Sequence, residues 1–310
     1  MMINNSFDLC IKFHEIDLHS TLDGGQAFRW YIESENRYRG VVSNRAVSLQ
    51  NKGKLIQVKI NDNNPPGNIE NILNDYLNTS KTYDDFYNKY DNDICLGPAI
   101  RSFKGLRVLR QDPWECLFSF ITSTTNNLLR IKLHINNVSY ALGEKIGPNK
   151  YDYTFPSPEK VLEGGESFLR KLGFGFRAKY LIYAANEIVN NNFSLNELRK
   201  LPYKDAKKHL TNLYGVGEKV ADCVLAFSLD KNQAFPVDRH IHRALIKWYG
   251  VSKKMSLTDL SEWAIDYFGN YGSIANQYMF HRERLISRAE NWGGNHIKLL
   301  AKEDFTSFSS

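Results

Sequence analysis

The sequence predicts two domains: an α+β amino-terminal domain, an antiparallel sheet with a helix, followed by an all-α domain. Three observations carry this. Residues 7–60 hold short β-branched and aromatic runs separated by Asn, Ser and Gly turns. Almost every apolar pattern after about Asp84 has helical period. A chain of 310 residues is long enough for two cores.

Taken in order, residues 27–32, 38–42, 46–49 and 55–60 read as strands. The run Asn61-Asp62-Asn63-Asn64-Pro65-Pro66-Gly67 reads as a loop. Ile69, Ile72, Leu73, Tyr76 and Leu77 then fall at helical spacing, a helix to cover the sheet. In the second domain, Asp112-Pro113-Trp114-Glu115 combines an N-cap, a proline at the first helical position and a glutamate placed to complete a capping box. Residues 116–121 are apolar on every side, which puts that helix in the middle of a bundle. Further helices are marked at 168–171 ending near Gly173, at 178–189, at 195–201 and at 257–268. The boundary falls between residues 100 and 110, giving domains 1–105 and 106–310.

The formal charge of +6, with 42% hydrophobic and 24% charged residues, describes an ordinary globular chain whose surface suits a polyanionic partner. Cysteines at 10, 95, 116 and 223 are too few and too scattered for a disulfide scaffold, and no pair has metal-ligand spacing, so reduced thiols, no metal and an intracellular protein are expected. Met1 to Phe13 carries an acidic residue, Asp8, and no long apolar core, which argues against a targeting peptide. No apolar window approaches the ~18 residues of a membrane span. Monomer is the default oligomeric state, because no interface signature stands out.

The most informative segment is Leu213-Tyr214-Gly215-Val216-Gly217-Glu218-Lys219-Val220-Ala221-Asp222-Cys223. Residues 204–213 and 218–229 read as helices, leaving 214–217 to reverse the chain, with glycine supplying the unusual backbone angles. The amides around Gly215, Val216 and Gly217, with the positive end of the next helix, can receive a phosphate oxygen. On the second helix Val220, Cys223, Val224 and Phe227 form the buried stripe, and at 100° per residue Lys219 lies about 90° from its centre, bordering the core. Lys219 also occupies the first turn, where the helix dipole disfavours a cation, and a nucleophile requires the neutral amine. Cys223, one turn on, reads as a small core filler close enough to touch that amine. Asp238 opens the helix carrying Ile241, Ala244, Leu245 and Trp248, and locally it is an N-cap. An amine beside a carboxylate and a phosphate-gripping turn can displace a base at a sugar C1′, form a Schiff base and promote strand scission, while the carboxylate stabilises developing positive charge.

These residues resemble the helix–hairpin–helix DNA glycosylases, and within them the 8-oxoguanine DNA glycosylase family, over nearly the whole chain. The resemblance rests on Gly24-Gly25-Gln26-Ala27-Phe28-Arg29-Trp30, on residues 109–121, on Leu172-Gly173-Phe174-Gly175-Phe176-Arg177-Ala178-Lys179-Tyr180, and on the hairpin with Pro236-Val237-Asp238-Arg239-His240. It implies an amino-terminal half-fold like that of the TATA-binding protein, a helical glycosylase core, and base excision followed by β-elimination on duplex DNA bearing 8-oxoguanine opposite cytosine, without a cofactor. It places Lys219 at the Schiff-base lysine, Asp238 at the catalytic aspartate and His240 at a residue holding the DNA backbone. Gly25 matches the glycine whose carbonyl accepts the hydrogen on N7 of 8-oxoguanine, Phe280 the aromatic that stacks on the extruded base, and Cys223 a neighbour of that base. Arg130 and Arg177 resemble the arginines that read the widowed cytosine.

Some positions depart from the family pattern. The chain reads Ser123-Thr124-Thr125-Asn126-Asn127 where three consecutive asparagines are usual, so Thr125 stands where a residue fills the space opposite cytosine and Asn126 follows it. Phe176 replaces a tyrosine wedge, and Tyr214 the hairpin proline. Asn276 takes the place of a base-reading glutamine, with Gln277 beside it, and either could reach the base edge. Two alternatives stay open at this point: a glycosylase of the same fold for other damaged bases, and a non-catalytic DNA-binding module.

Overall fold

The structure, a computed structural model, describes residues 6–13, 15–61 and 68–292. The first five residues and most of the expected loop at 61–67 lie outside the described residues. Strands β1 (Ser6–Ile11), β2 (Tyr31–Ser34), β3 (Arg37–Val42), β4 (Arg45–Lys52) and β5 (Leu55–Asn61) form one antiparallel sheet in the order β1-β5-β4-β3-β2. Ser43 and Asn44, both at positive φ, turn β3 into β4 in two residues, the hairpin geometry that matches strand twist. Tyr38 stands opposite Leu49, and Leu49 opposite Val58, so one face is apolar. Helices α1 (Leu18–Leu22) and α2 (Ile69–Tyr76) contribute Leu18, Leu22, Ile69 and Leu73 to the core on that face.

The helical part comprises α3 (Asp84–Tyr90), α4 (Gly97–Ser102), α5 (Pro113–Thr122), α6 (Leu128–Leu142), α7 (Pro158–Lys171), α8 (Arg177–Val189), α9 (Leu195–Lys200), α10 (Tyr203–Thr211), α11 (Glu218–Ser228), α12 (Arg239–Tyr249), α13 (Leu257–Phe268) and α14 (Gly272–Trp292). It holds two cores. One is built around α5, every residue of which from Trp114 to Thr122 except Glu115 is buried, as its all-round apolarity requires. The other joins α3 and α4 to α12, α13 and α14, so the segment 84–102 shares its apolar surface with the carboxy-terminal helices. Among the described residues no helix is long and apolar enough to cross a membrane. The four cysteines are free.

Two local expectations are corrected. Residues 27–30 are irregular and the strand starts at Tyr31. Their side chains serve different cores: Ala27 and Trp30 join that of the sheet, Phe28 that of the bundle. Arg29 pairs with Glu115 at 3.0 Å and donates to the Tyr153 carbonyl at 2.9 Å. Ties to both domains, and not a ladder, hold this run. The capping box at α5 is half formed for the same reason: Asp112 accepts from the Glu115 amide at 2.9 Å, but the Glu115 carboxylate is turned to Arg29.

The same motif stitches the chain together through Gln26, whose amide is wholly buried. It donates to the Thr21 and Arg107 carbonyls at 3.0 and 2.7 Å and accepts from the Leu109 amide at 2.9 Å. A buried side-chain amide with its donors and acceptor satisfied is a strong orientational constraint, since any shift leaves polar atoms unpaired.

Candidate active site

Lys219 lies half-buried in the first turn of α11, a helix whose residues 220–228 are all buried. Its Nζ donates to the Ser123 hydroxyl at 3.2 Å and sits 5.1 Å from the centroid of the Phe120 ring. That ring is itself held, stacked on Phe227 and edge-on to Phe28. The motif residue Phe28 thereby supports the floor beneath the lysine. The Cys223 thiol lies one helical turn on, near enough for the charge of Lys219 to act on it. Burial pushes the Cys223 thiol up to about 12, against the opposing pull of Lys219, so it stays a thiol and adds no anion to the site. Asp238 caps α12, accepting from the His240 and Ile241 amides at 2.8 and 2.9 Å, and its charge reaches Cys223. Its capping role and its reach to the Cys223 thiol coexist.

The expected base-recognition residues converge next to this group. Gly25 has φ +79°, and a Cβ added there would stand 2.8 Å from the Phe280 ring and 3.5 Å from Leu128. Phe280 meets His240 edge-on at 5.8 Å. The two residues between which the sequence left the choice are both engaged: Asn276 donates to the Pro236 carbonyl at 2.9 Å, two residues before Asp238, and Gln277 donates to the Gly24 carbonyl at 2.9 Å. Asn276 thus braces the segment that carries the aspartate, and Gln277 the glycine pair. His240 shares its Nδ1 with an Arg243 Nη2 at 3.1 Å; arginine can only donate, so Nδ1 accepts and the ring proton sits on Nε2. Burial, assisted by Arg243, Arg239 and Arg284, lowers the His240 pKa and keeps the ring neutral at pH 7.

The connection between α10 and α11 is longer than expected, 212–217, because α10 ends at Thr211. Gly215 has φ +88°, and a Cβ there would lie 2.2 Å from the Tyr180 ring. Val216 is buried beneath the turn, while a Cβ at Gly217, the N-cap, would meet nothing within 4 Å. No side chain at the N-cap takes up the amides at the head of α11. Tyr180 also links two half-exposed rings, Phe176 and Tyr214, edge-on at 5.9 and 4.9 Å.

Arg177 lies 4.6 Å over the Phe176 ring and donates from Nε to the Thr124 carbonyl at 2.7 Å and from Nη2 to the Thr125 carbonyl at 2.8 Å. It is buried, and it clamps the turn after α5, in which Thr125 adopts φ +50°. Asn126 donates to the Thr122 carbonyl at 3.1 Å in the same turn. Arg130 is exposed on α6, close enough for its charge to act on Arg177.

Sequence reasoning missed Phe120 and Ser123 as neighbours of Lys219. It also missed a buried network under the hairpin. Asp222 accepts from the Tyr203 hydroxyl at 2.7 Å and from Lys207 Nζ at 3.0 Å, and Lys207 reaches Glu218 at 2.6 Å. A lone Asp inside an otherwise apolar helical stretch was the available signal, because such a residue needs a partner. Among the described residues no cluster of His, Cys, Asp or Glu is placed to hold a metal ion.

Residues 120–264 match the family model of the HhH-GPD superfamily base excision DNA repair proteins, and residues 8–117 that of the 8-oxoguanine DNA glycosylase N-terminal domain. Fold and site together therefore define a base excision repair protein of the helix–hairpin–helix class. The chain is 34% identical over 244 residues to N-glycosylase/DNA lyase OGG1 of Arabidopsis thaliana, covering 76% of this chain and 67% of that one. It is 30% identical to the N-glycosylase/DNA lyase of Saccharomyces cerevisiae, over 79% of this chain and 71% of that one. The Clostridium acetobutylicum 8-oxoguanine glycosylase/lyase, solved with double-stranded DNA containing cytosine opposite 8-oxoguanine, superposes with a TM-score of 0.84 at 30% identity, over 92% of this chain and 100% of that one. The chain belongs to the 8-oxoguanine DNA glycosylase family.

Proposed function

We propose that this protein excises 8-oxoguanine from duplex DNA and cleaves the strand at the resulting site, with Lys219 as nucleophile and Asp238 as the charge that stabilises the sugar cation. The observation that carries the reading is the Lys219 amine held at the Ser123 hydroxyl on the helix that follows the glycine turn, with the charges of Lys219 and Asp238 both acting on the neutral Cys223 thiol, and with Phe280, packed on Gly25, meeting His240 at the start of the Asp238 helix. The damaged nucleotide leaves the helix, an extrusion costing a few kcal/mol that stacking on Phe280 and contacts at Gly25 offset. As the N-glycosidic bond breaks, the base departs with the bonding pair and positive charge grows at C1′, where the Asp238 carboxylate opposes it. The neutral Lys219 amine forms the C–N bond, ring opening yields the Schiff base, and loss of a C2′ proton expels the 3′ phosphate.

The duplex partner is read here as one with cytosine opposite the lesion, with exposed Arg130 and Phe176 and half-buried Asn126 on the DNA-facing side and His240 offering its Nε2 hydrogen to the backbone. Borohydride trapping on duplexes carrying 8-oxoguanine opposite each of the four bases tests the reading. A covalent adduct on the cytosine duplex is expected, and its absence on all four, with activity on another lesion, would overturn the substrate.

Two substitutions probe the positioning of base and backbone separately. In Gly25→Ala, a non-glycine residue at φ +79° costs about 1–2 kcal/mol and its methyl meets Phe280. Single-turnover base release is expected to fall by roughly tenfold or more, with affinity for undamaged duplex unchanged. In Gly215→Ala, the methyl collides with Tyr180 and the turn must open. Affinity for undamaged duplex, measured at fixed salt by fluorescence anisotropy, is expected to weaken by roughly tenfold.

A further inference from the structure

We propose that Ser123 is a positioning residue for the Lys219 amine, an inference that rests on the lysine reading above. Ser123 follows the last residue of α5, and its hydroxyl donates to the Phe120 carbonyl at 2.7 Å. A carbonyl can only accept, so the single hydroxyl hydrogen is committed to it and Oγ is left as an acceptor. Lys219 Nζ, 3.2 Å away, donates to that oxygen. An amine with one N–H tied to a fixed oxygen loses its freedom of rotation about Cε–Nζ. Its lone pair, once the amine is neutral, must then point away from Ser123. The centroid of the Phe120 ring lies 5.1 Å from the same nitrogen, so the ring and the Ser123 oxygen together confine the amine.

The oxygen is held from the other side as well. Arg177 binds the next two carbonyls, those of Thr124 and Thr125, and the Ser123 amide donates to the Ser119 carbonyl at 3.0 Å. The turn is clamped at consecutive residues, so the acceptor does not follow the lysine; the lysine must come to it. Reactions between groups fixed in this way gain from orientation that a mobile side chain would have to find at each turnover.

The test compares parent, Ser123→Ala, Ser123→Thr and Lys219→Gln in single-turnover base release from an 8-oxoguanine:cytosine duplex, with thermal melting and undamaged-duplex affinity measured alongside. Ser123→Ala is expected to keep the parental melting temperature and affinity while base release slows by roughly tenfold. Ser123→Thr, which retains the hydroxyl, is expected to recover to within about twofold of the parent, as a purely structural role would not require. Parental base release by Ser123→Ala, or a Ser123→Thr variant as slow as Ser123→Ala, would overturn the assignment. Lys219→Gln separates the two ideas: if it stays active the lysine reading itself fails, whereas an inactive Lys219→Gln beside a parental Ser123→Ala removes Ser123 alone.

Discussion

Replacing Lys219 with glutamine is expected to abolish the borohydride-trapped adduct and to slow base release by on the order of a thousandfold, about 4 kcal/mol of barrier. Glutamine is close in length, can still donate to the Ser123 hydroxyl and keeps the contact with Phe120, so the fold should persist. What is lost is a basic nitrogen with a lone pair. An amide cannot form the Schiff base. The decisive measurements are single-turnover base release and covalent trapping on the 8-oxoguanine duplex, with melting temperature as the control. Base release at the parental rate by a well-folded variant would show that the amine is not the nucleophile.

Lys207→Met is expected to produce the largest loss of stability, about 3–5 kcal/mol at pH 8, because it leaves a buried carboxylate without its cation. Asp222 is 1% exposed, and even with Lys207 present, burial pushes its carboxyl up to about 6. Burial also works against the Lys207 ammonium, but Asp222 and Glu218 outweigh it and hold the lysine charged. Burial outweighs pairing for the aspartate, and pairing outweighs burial for the lysine, in keeping with Lys207 being the more exposed of the two. In Lys207→Met the carboxyl rises further. A carboxyl raised on folding contributes stability that is fully present below its unfolded value near 4 and is lost as pH rises through the folded value. The variant should therefore be nearer to the parent at pH 5 than at pH 8. Urea titrations at the two pH values check this, and an equal deficit at both would show that Asp222 does not carry the effect.

Much of the architecture follows from rules that operate over a few residues. The β3–β4 hairpin, the Asp112 cap with Pro113 behind it, and the apolar wall of α5 each express turn chemistry, capping or periodicity within one element, and each stands where the sequence places it. Where such rules compete with distant partners, the partners win. Residues 27–30 have strand composition but belong to two cores, and Glu115 leaves its cap for Arg29. Helices α3 and α4 follow the sheet in sequence yet pack against α12–α14. The choice between Asn276 and Gln277 was open for the same reason, since adjacent residues on a helix point in different directions and only the neighbours decide what each one meets.

By itself, then, the sequence determined that the chain has a sheet followed by helices, that a glycine turn precedes Lys219, and that Asp238 opens a helix. These are consequences of local spacing and of what glycine, proline and capping side chains permit. Only the tertiary structure decided what surrounds the amine. Lys219 meets Ser123 across 96 residues, and Gln277 meets Gly24 across 253. No periodicity spans such separations; those pairs form because burying the apolar stripes of α5, α11 and α14 brings the polar atoms at their edges within reach, where each must find a partner.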